Sequence, residues 1–172
     1  MVQNLTEKVQ SSQNKFEELV SRIPGYAGYK RKEQRREADK LLRLYVARQY
    51  EEQLHRLDEA EGMLASQGDF KVILSLERAV MKLQLLIDRI KTASYGYAGL
   101  LDAIKVDEEV LDKLYDFDHA MLDGVEQISG LLDQLLEASE GKEDSSATAS
   151  ALVTALAGLN STFSRRQDVL LG

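Results

Sequence analysis

The sequence predicts an all-α protein, an antiparallel bundle of four to five helices with coiled-coil-like seams, on three observations. Apolar residues recur at alternating steps of three and four in most of the long segments. That period averages about 3.5 residues and suits helices packed at shallow angles. The single proline, Pro24, falls between segments and interrupts none of them, as helix interiors require. Charged residues make up 30% of the chain and aromatics only 6%, a balance typical of long helices.

The N-terminal seam is Val2, Leu5, Val9, Phe16, Leu19 and Ile23, with Ser12 as its one polar interruption. It stops at Pro24-Gly25, where proline disfavours helix at Ile23 and glycine permits positive φ. The short connection Pro24–Gly28 predicts an antiparallel neighbour. A second helix is expected from Tyr29 to Ala65, and its apolar stripe changes side. Ala38, Leu41, Leu42 and Tyr45 mark one face, then Ala47, Tyr50, Leu54, Leu57 and Leu64 another. At about 100° per residue such stripes imply two partners, one for each half. Ser66-Gln67-Gly68-Asp69 reads as a compact turn, with Asp69 the N-cap of the next helix.

The central helix, Phe70–Thr92, carries Ile73, Leu76, Val80, Leu83, Ile87 and Ile90 as a continuous seam. Val72, Leu74, Ala79, Met81, Leu85 and Leu86 add apolar surface beside it, so cover on more than one side is expected. The tetrapeptide Gly25-Tyr26-Ala27-Gly28 returns as Gly96-Tyr97-Ala98-Gly99. Each copy precedes a long charged helix, which reads as a reused turn and is too short to establish a duplication. The fourth helix, about Asp107 to Ala138, presents Leu111, Leu114, Met121, Val125, Ile128, Leu132 and Leu135. Asp118 falls inside that seam. Its carboxylate must reach solvent, pair with a cation or mark a site, unless a small rotation hands the core position to Phe117.

Residues 139–148 (SEGKEDSSAT) have the composition of a flexible linker. A last helix places Ala149, Leu152, Leu156, Leu159 and Phe163 in register, followed by a Leu170-Leu171 tail that must dock back or meet a partner. The organisation expected is therefore a bundle over 1–138, a linker over 139–148, and a C-terminal helix and tail over 149–172.

Composition narrows function. With no cysteine, neither a disulfide framework nor a thiolate metal site is available. The N-terminus lacks the basic start and apolar run of a secretory signal, and no 18-residue uncharged stretch exists to span a membrane. A soluble, cytoplasmic protein is expected. The net charge of −7 opposes nonspecific binding to phosphate backbones, and no specific nucleic-acid partner is expected.

Two clusters invite a chemical reading. Each histidine has an acid three residues earlier, Glu52 before His55 and Asp116 before His119, and Glu17 or Glu18 and Glu77 supply further carboxylates. The order resembles ferritin-like di-metal proteins, with Asp116 a departure from the usual Glu, and the resemblance implies a carboxylate-bridged iron or manganese pair. Helical geometry opposes it. His55 and His119 each lie about 150° from the apolar face of their helix, where ligands cannot converge in a core. The expectation is solvent-facing histidines, with neither metal nor other cofactor.

The second cluster is Lys30-Arg31-Lys32-Glu33-Gln34-Arg35-Arg36, five cations at a helix start, each unfavourable there by a few tenths of a kcal/mol. One use is an anion or partner site built from Tyr26, Tyr29, Lys30, Arg31, Lys32, Arg35, Arg36 and Tyr97, taking a phosphorylated ligand, an anionic membrane surface or a nucleic-acid backbone. The other is structural pairing with Asp107, Glu108, Glu109, Asp112 and Asp116, at the start of the helix behind the second Gly-Tyr-Ala-Gly. No Gly-rich phosphate loop, Gly-x-Ser-x-Gly or triad spacing is present. The sequence reads as a non-catalytic scaffold or adaptor that binds protein partners and forms homo-oligomers, with an anion-binding module as the alternative.

Overall fold

Four helices, α1 (Lys32–Gln67), α2 (Phe70–Thr92), α3 (Glu108–Gly141) and α4 (Ser146–Leu171), build the fold, and no strand occurs among the described residues. The structure is a computed structural model. It describes residue 14 and residues 17–24, 32–93, 108–141 and 143–171, with the side chains of 32–39, 108–112, 167 and 169–171 outside the description. Residues 17–21 are also helical and add Leu19 and Val20 to the core.

α1 and α2 form one antiparallel hairpin and α3 and α4 a second, so the expected all-α bundle is present. The hairpins lie side by side with like helices abreast. α1 runs parallel to α3, and α2 runs parallel to α4, closing a ring of four helix contacts. The polar bonds between hairpins show this register. Tyr50 donates its hydroxyl to the Met121 carbonyl at 2.6 Å, Arg56 donates to Ser129 Oγ at 2.8 Å, and Ser139 donates to Gln67 Oε1 at 3.2 Å. On the other side Arg89 donates to the Asn160 carbonyl at 2.9 Å and to Ser164 Oγ at 2.7 Å. Asn160 in turn donates to the Lys82 carbonyl at 2.9 Å, and the Arg89 guanidinium stacks 5.2 Å from the centre of the Phe163 ring.

The turn after α1 forms as its residues dictate. Gly68 takes φ 81°, the left-handed conformation that ends helices, and Asp69 accepts from the Val72 amide at 3.4 Å as the N-cap of α2. The expected linker over 139–148 is corrected to a connection of four residues: α3 continues through Gly141 and α4 begins at Ser146. The small polar residues serve helix ends instead. The Glu143 amide donates to the Ala138 carbonyl at 2.8 Å, Asp144 accepts from the Ser146 amide at 2.9 Å, and Ser139 and Ser145 are buried. Ala149, Leu152, Leu156, Leu159 and Phe163 all enter the core, so α4 is a wall of the bundle.

Two faces differ from their expected phase. On α1 the buried residues Leu42, Arg43, Val46, Ala47, Tyr50, Gln53, Leu57, Ala60 and Leu64 occupy one continuous face about 140° wide. Leu41 is exposed, and the change of side disappears because Arg43 and Gln53 hold core positions that an apolar pattern passes over. On α2 the buried face is Val72, Leu76, Ala79, Leu83, Leu86, Ile87 and Ile90, turned by about 40° from the expected seam. Ile73 and Val80 are half-buried. With α1 on one flank and α4 on the other, the mean inward direction lies between them.

α3 packs tightly against its neighbours at Gly124. A Cβ there would sit 2.4 Å from Leu159 Cδ2 and 2.6 Å from the Tyr50 hydroxyl. Gly124→Ala is therefore expected to lower stability by ~1–3 kcal/mol in urea unfolding. Gly158→Ala, where a Cβ meets nothing within 4 Å, is expected to raise it by ~0.5–1 kcal/mol.

Candidate functional site

The outward side of α2 carries more apolar surface than any other exposed face described. Phe70 is 73% exposed, Leu74 61%, Met81 64% and Leu85 53%. At about 100° per residue these four fall within roughly 30° of a single line along the helix, and Glu77 and Arg78 flank its midpoint about 50° to either side. Both charged residues are exposed. Leu74, Met81 and Leu85 are thus not the covered flanks that the sequence suggested.

The second hairpin shows that the fold does not require this line. Val72, Leu76, Ala79, Leu83, Leu86 and Ile90 correspond, at a constant step of 73 residues, to Ser145 just before α4 and to Ala149, Leu152, Leu156, Leu159 and Phe163 along it, all buried, while buried Ile87 corresponds to half-buried Asn160. In the same register, Phe70, Leu74, Met81 and Leu85 correspond to Glu143, Ala147, Thr154 and Gly158, all exposed. One hairpin presents small or polar residues outward, and the other presents four large apolar ones.

The rim of the α2 line on the α1 side is acidic. Glu61, Asp58 and Glu77 lie close enough that the Glu61 carboxyl titrates above its ordinary range, through partial burial first, then the charge of Glu77, then that of Asp58.

Inside the bundle Asp118 is the carboxylate that interrupts the α3 seam. It accepts from Arg166 Nε at 2.9 Å and from Arg166 Nη2 at 3.3 Å, with both residues buried. Pairing with a cation is thus the outcome among those open to Asp118, and Phe117 remains half-buried beside it. An apolar pattern does not single out Arg166. It continues the three-four spacing of Leu159 and Phe163, and that register is the available signal. Tyr50 is held protonated well above the usual phenol range, chiefly by burial and then by Asp123, which suits its role as a hydrogen-bond donor to α3.

Of the proposed anion-site residues, Tyr26, Tyr29, Lys30, Arg31 and Tyr97 lie outside the described residues. Lys32, Arg35 and Arg36 occupy the start of α1, with their side chains outside the description. Because α1 and α3 are parallel, their first turns lie at the same end of the bundle. The backbone therefore has the arrangement that pairing with Glu108, Glu109 and Asp112 would need. His55 is exposed and His119 half-buried. Among the described residues no three histidine, aspartate or glutamate side chains converge as metal ligands, and no helix is long and apolar enough to cross a membrane. Compared with protein-family models, curated proteins and solved structures, the chain finds no match.

These charges lead to two expected outcomes. Asp118→Ala leaves a buried guanidinium without its carboxylate and is expected to cost ~3–5 kcal/mol in urea unfolding, whereas Asp118→Leu combined with Arg166→Met should cost markedly less. Glu61 has its pKa raised by folding, so it favours the folded state less once ionised; stability falls as pH rises through that range. Glu61→Gln should then be more stable than wild type near pH 7, and the difference should shrink as pH falls below the ordinary Glu pKa of about 4.3, where wild type comes to carry a neutral side chain as well.

Proposed function

We propose that this chain is a non-catalytic helical-bundle interaction module, acting in the cytoplasm as a scaffold or adaptor through protein–protein contacts, self-association included. The observation that carries the reading is the line Phe70, Leu74, Met81 and Leu85 on the outer face of α2. An exposed apolar face of this kind with a charged rim is the usual mark of a protein-binding surface. Its absence from the equivalent face of α4 supports a use beyond folding.

The test replaces Leu74 and Met81 together by glutamate in the full chain. Both side chains point outward, so the variant should keep the helical circular dichroism and unfolding midpoint of wild type. Cross-linking followed by affinity capture from the native source should recover protein partners, including untagged copies of the chain, with wild type and lose them with the variant. Recovery of the same proteins in the same amounts by both would remove the outer face of α2 from the mechanism, and with it this reading.

A further inference from the structure

We propose that α2 docks in parallel on α2 of a second copy of this chain, about a two-fold axis running along the helices, so that the acidic edge of each copy lies on the basic edge of the other. The proposal rests on the interaction-module reading and specifies its partner.

The apolar line of α2 divides charges of opposite sign. Lys71, Arg78 and Lys82 stand about 50° to 90° from it on one side. That side faces α4, since the Lys82 carbonyl accepts from Asn160. Glu77 and Asp88 stand about 50° and 30° from the line on the other side. Asp58 and Glu61 of α1 lie behind Glu77 there. The ends of the two edges are answered within the protomer, with Lys71 near Asp144 and Lys91 paired with Glu51. The middle is not. Neither Glu77 nor Arg78 forms an ion pair among the described residues, and α4 has no charged residue from Ser146 to Ser164 to offset Arg78 and Lys82.

Within each edge, like charges crowd together. Arg78 and Lys82 are four residues apart on one helix face, a spacing at which like charges repel. On the opposite edge the charges of Glu77 and Asp58 both bear on the Glu61 carboxyl. Each cluster lacks the other's sign, and both sit at the same height along α2.

Symmetry decides how a second copy can use this. A two-fold axis across α2 reverses the helix and sets each edge against its own kind, acid on acid and base on base. A two-fold axis along α2 keeps every residue at its own height and exchanges the edges. Phe70, Leu74, Met81 and Leu85 then meet their own counterparts. Glu77 faces Arg78 of the second copy, with Lys82 of that copy beside it, and the symmetry forms the pair twice. An isologous interface demands self-complementarity of this kind. The steps along the contact, 70, 74, 77 or 78, 81 and 85, are threes and fours, the spacing of helices that cross at about +20°. So shallow a crossing keeps the two α2 helices together along their length. The four apolar residues retain between 53% and 73% exposure, so nothing in the protomer needs to move before they meet. A line of four apolar side chains is at the small end of specific interfaces, which start near ~1,000 Å², so a dimer of micromolar affinity is expected.

The experiment is analytical ultracentrifugation of the full chain as wild type, Glu77→Arg, Arg78→Glu and the double exchange Glu77→Arg/Arg78→Glu, with circular dichroism confirming that each is folded. Wild type should dimerise in the micromolar range. Each single reversal sets like charges against each other twice and should weaken the dimer about tenfold or more. The double exchange restores opposite charges and should return affinity to within about threefold of wild type. Orientation is read separately from Leu85→Cys, the only cysteine in a chain that otherwise has none. A short bismaleimide should join its two copies in the parallel dimer, whereas a helix reversed about the midpoint of the line would hold them about 22 Å apart along the axis. A dimer that ignores both single reversals, that the double exchange fails to restore, or that leaves Leu85→Cys uncoupled overturns this contact and leaves the broader reading intact. A wild-type monomer up to high micromolar concentration also overturns it. In that case the interaction-module reading survives only if the Leu74/Met81 variant still loses captured partners.

Discussion

The side-by-side stacking of two like hairpins is the constraint that governs the other features of the bundle. Parallel neighbours place like helix ends together, so the macrodipoles give no help between hairpins. Adhesion there must come from apolar packing and side-chain bonds. On the α1–α3 side, close packing is secured by a missing side chain: Gly124 lets Leu159 and the Tyr50 hydroxyl approach α3, and the hydroxyl then reaches the Met121 carbonyl. Arg56 extends the seam by joining Gln53, Ser129 and Asp133. On the α2–α4 side Arg89 and Asn160 do the equivalent work, each bonding to the other helix. Such bonds have geometric requirements that apolar contacts lack, so they select one register from the several that three-four seams would accept.

The spacing between the hairpins bears comparison with the short sequence repeat, whose residues lie outside the described ones. Gly25-Tyr26-Ala27-Gly28 and Gly96-Tyr97-Ala98-Gly99 stand 71 residues apart, the same separation as Tyr50 and Met121, which touch across α1 and α3. Farther along, the core positions of α2 and α4 keep a step of 73. The small increase reflects a connection in the second hairpin, 142–145, two residues longer than Gly68-Asp69. Four identical residues do not establish equivalence between the halves; what the two hairpins share is the spacing of most of their buried positions.

The fold class was legible because helix burial leaves a period in the sequence that does not depend on partners. Leu114, Met121, Val125, Ile128, Leu132 and Leu135 on α3, and Ala149 to Phe163 on α4, face the core as their spacing required. The exact facing of α1 and α2 was less legible, because it depends on where two neighbours stand. Ile73 and Val80 satisfy the period as well as Val72 and Ala79 do, and only the positions of α1 and α4 decide between them. Polar core residues were the larger gap. Arg43, Gln53, Asp118 and Arg166 are all buried, and an apolar pattern treats each as an interruption. For Asp118 the sequence posed the question without the answer, since its partner lies 48 residues away on a helix whose docking composition alone did not reveal. The reading of 139–148 as a linker failed for a related reason: serine and glutamate are compatible with helix ends as well as with loops.

The outer face of α2 was the feature hardest to read, and the comparison of hairpins explains its meaning. Taken alone, Leu74, Met81 and Leu85 resemble flanks of a buried helix. Only with the core face located on the opposite side do they become a separate line. If folding needed that line, the equivalent positions of α4 would need it as well, yet they hold Ala147, Thr154 and Gly158. An uninterrupted apolar line would attract any apolar surface it met. Placing Glu77 and Arg78 at its midpoint changes this, because a partner that buries the line must also satisfy an acid and a base at fixed positions or leave them desolvated and unpaired. That requirement turns a merely adhesive surface into a selective one.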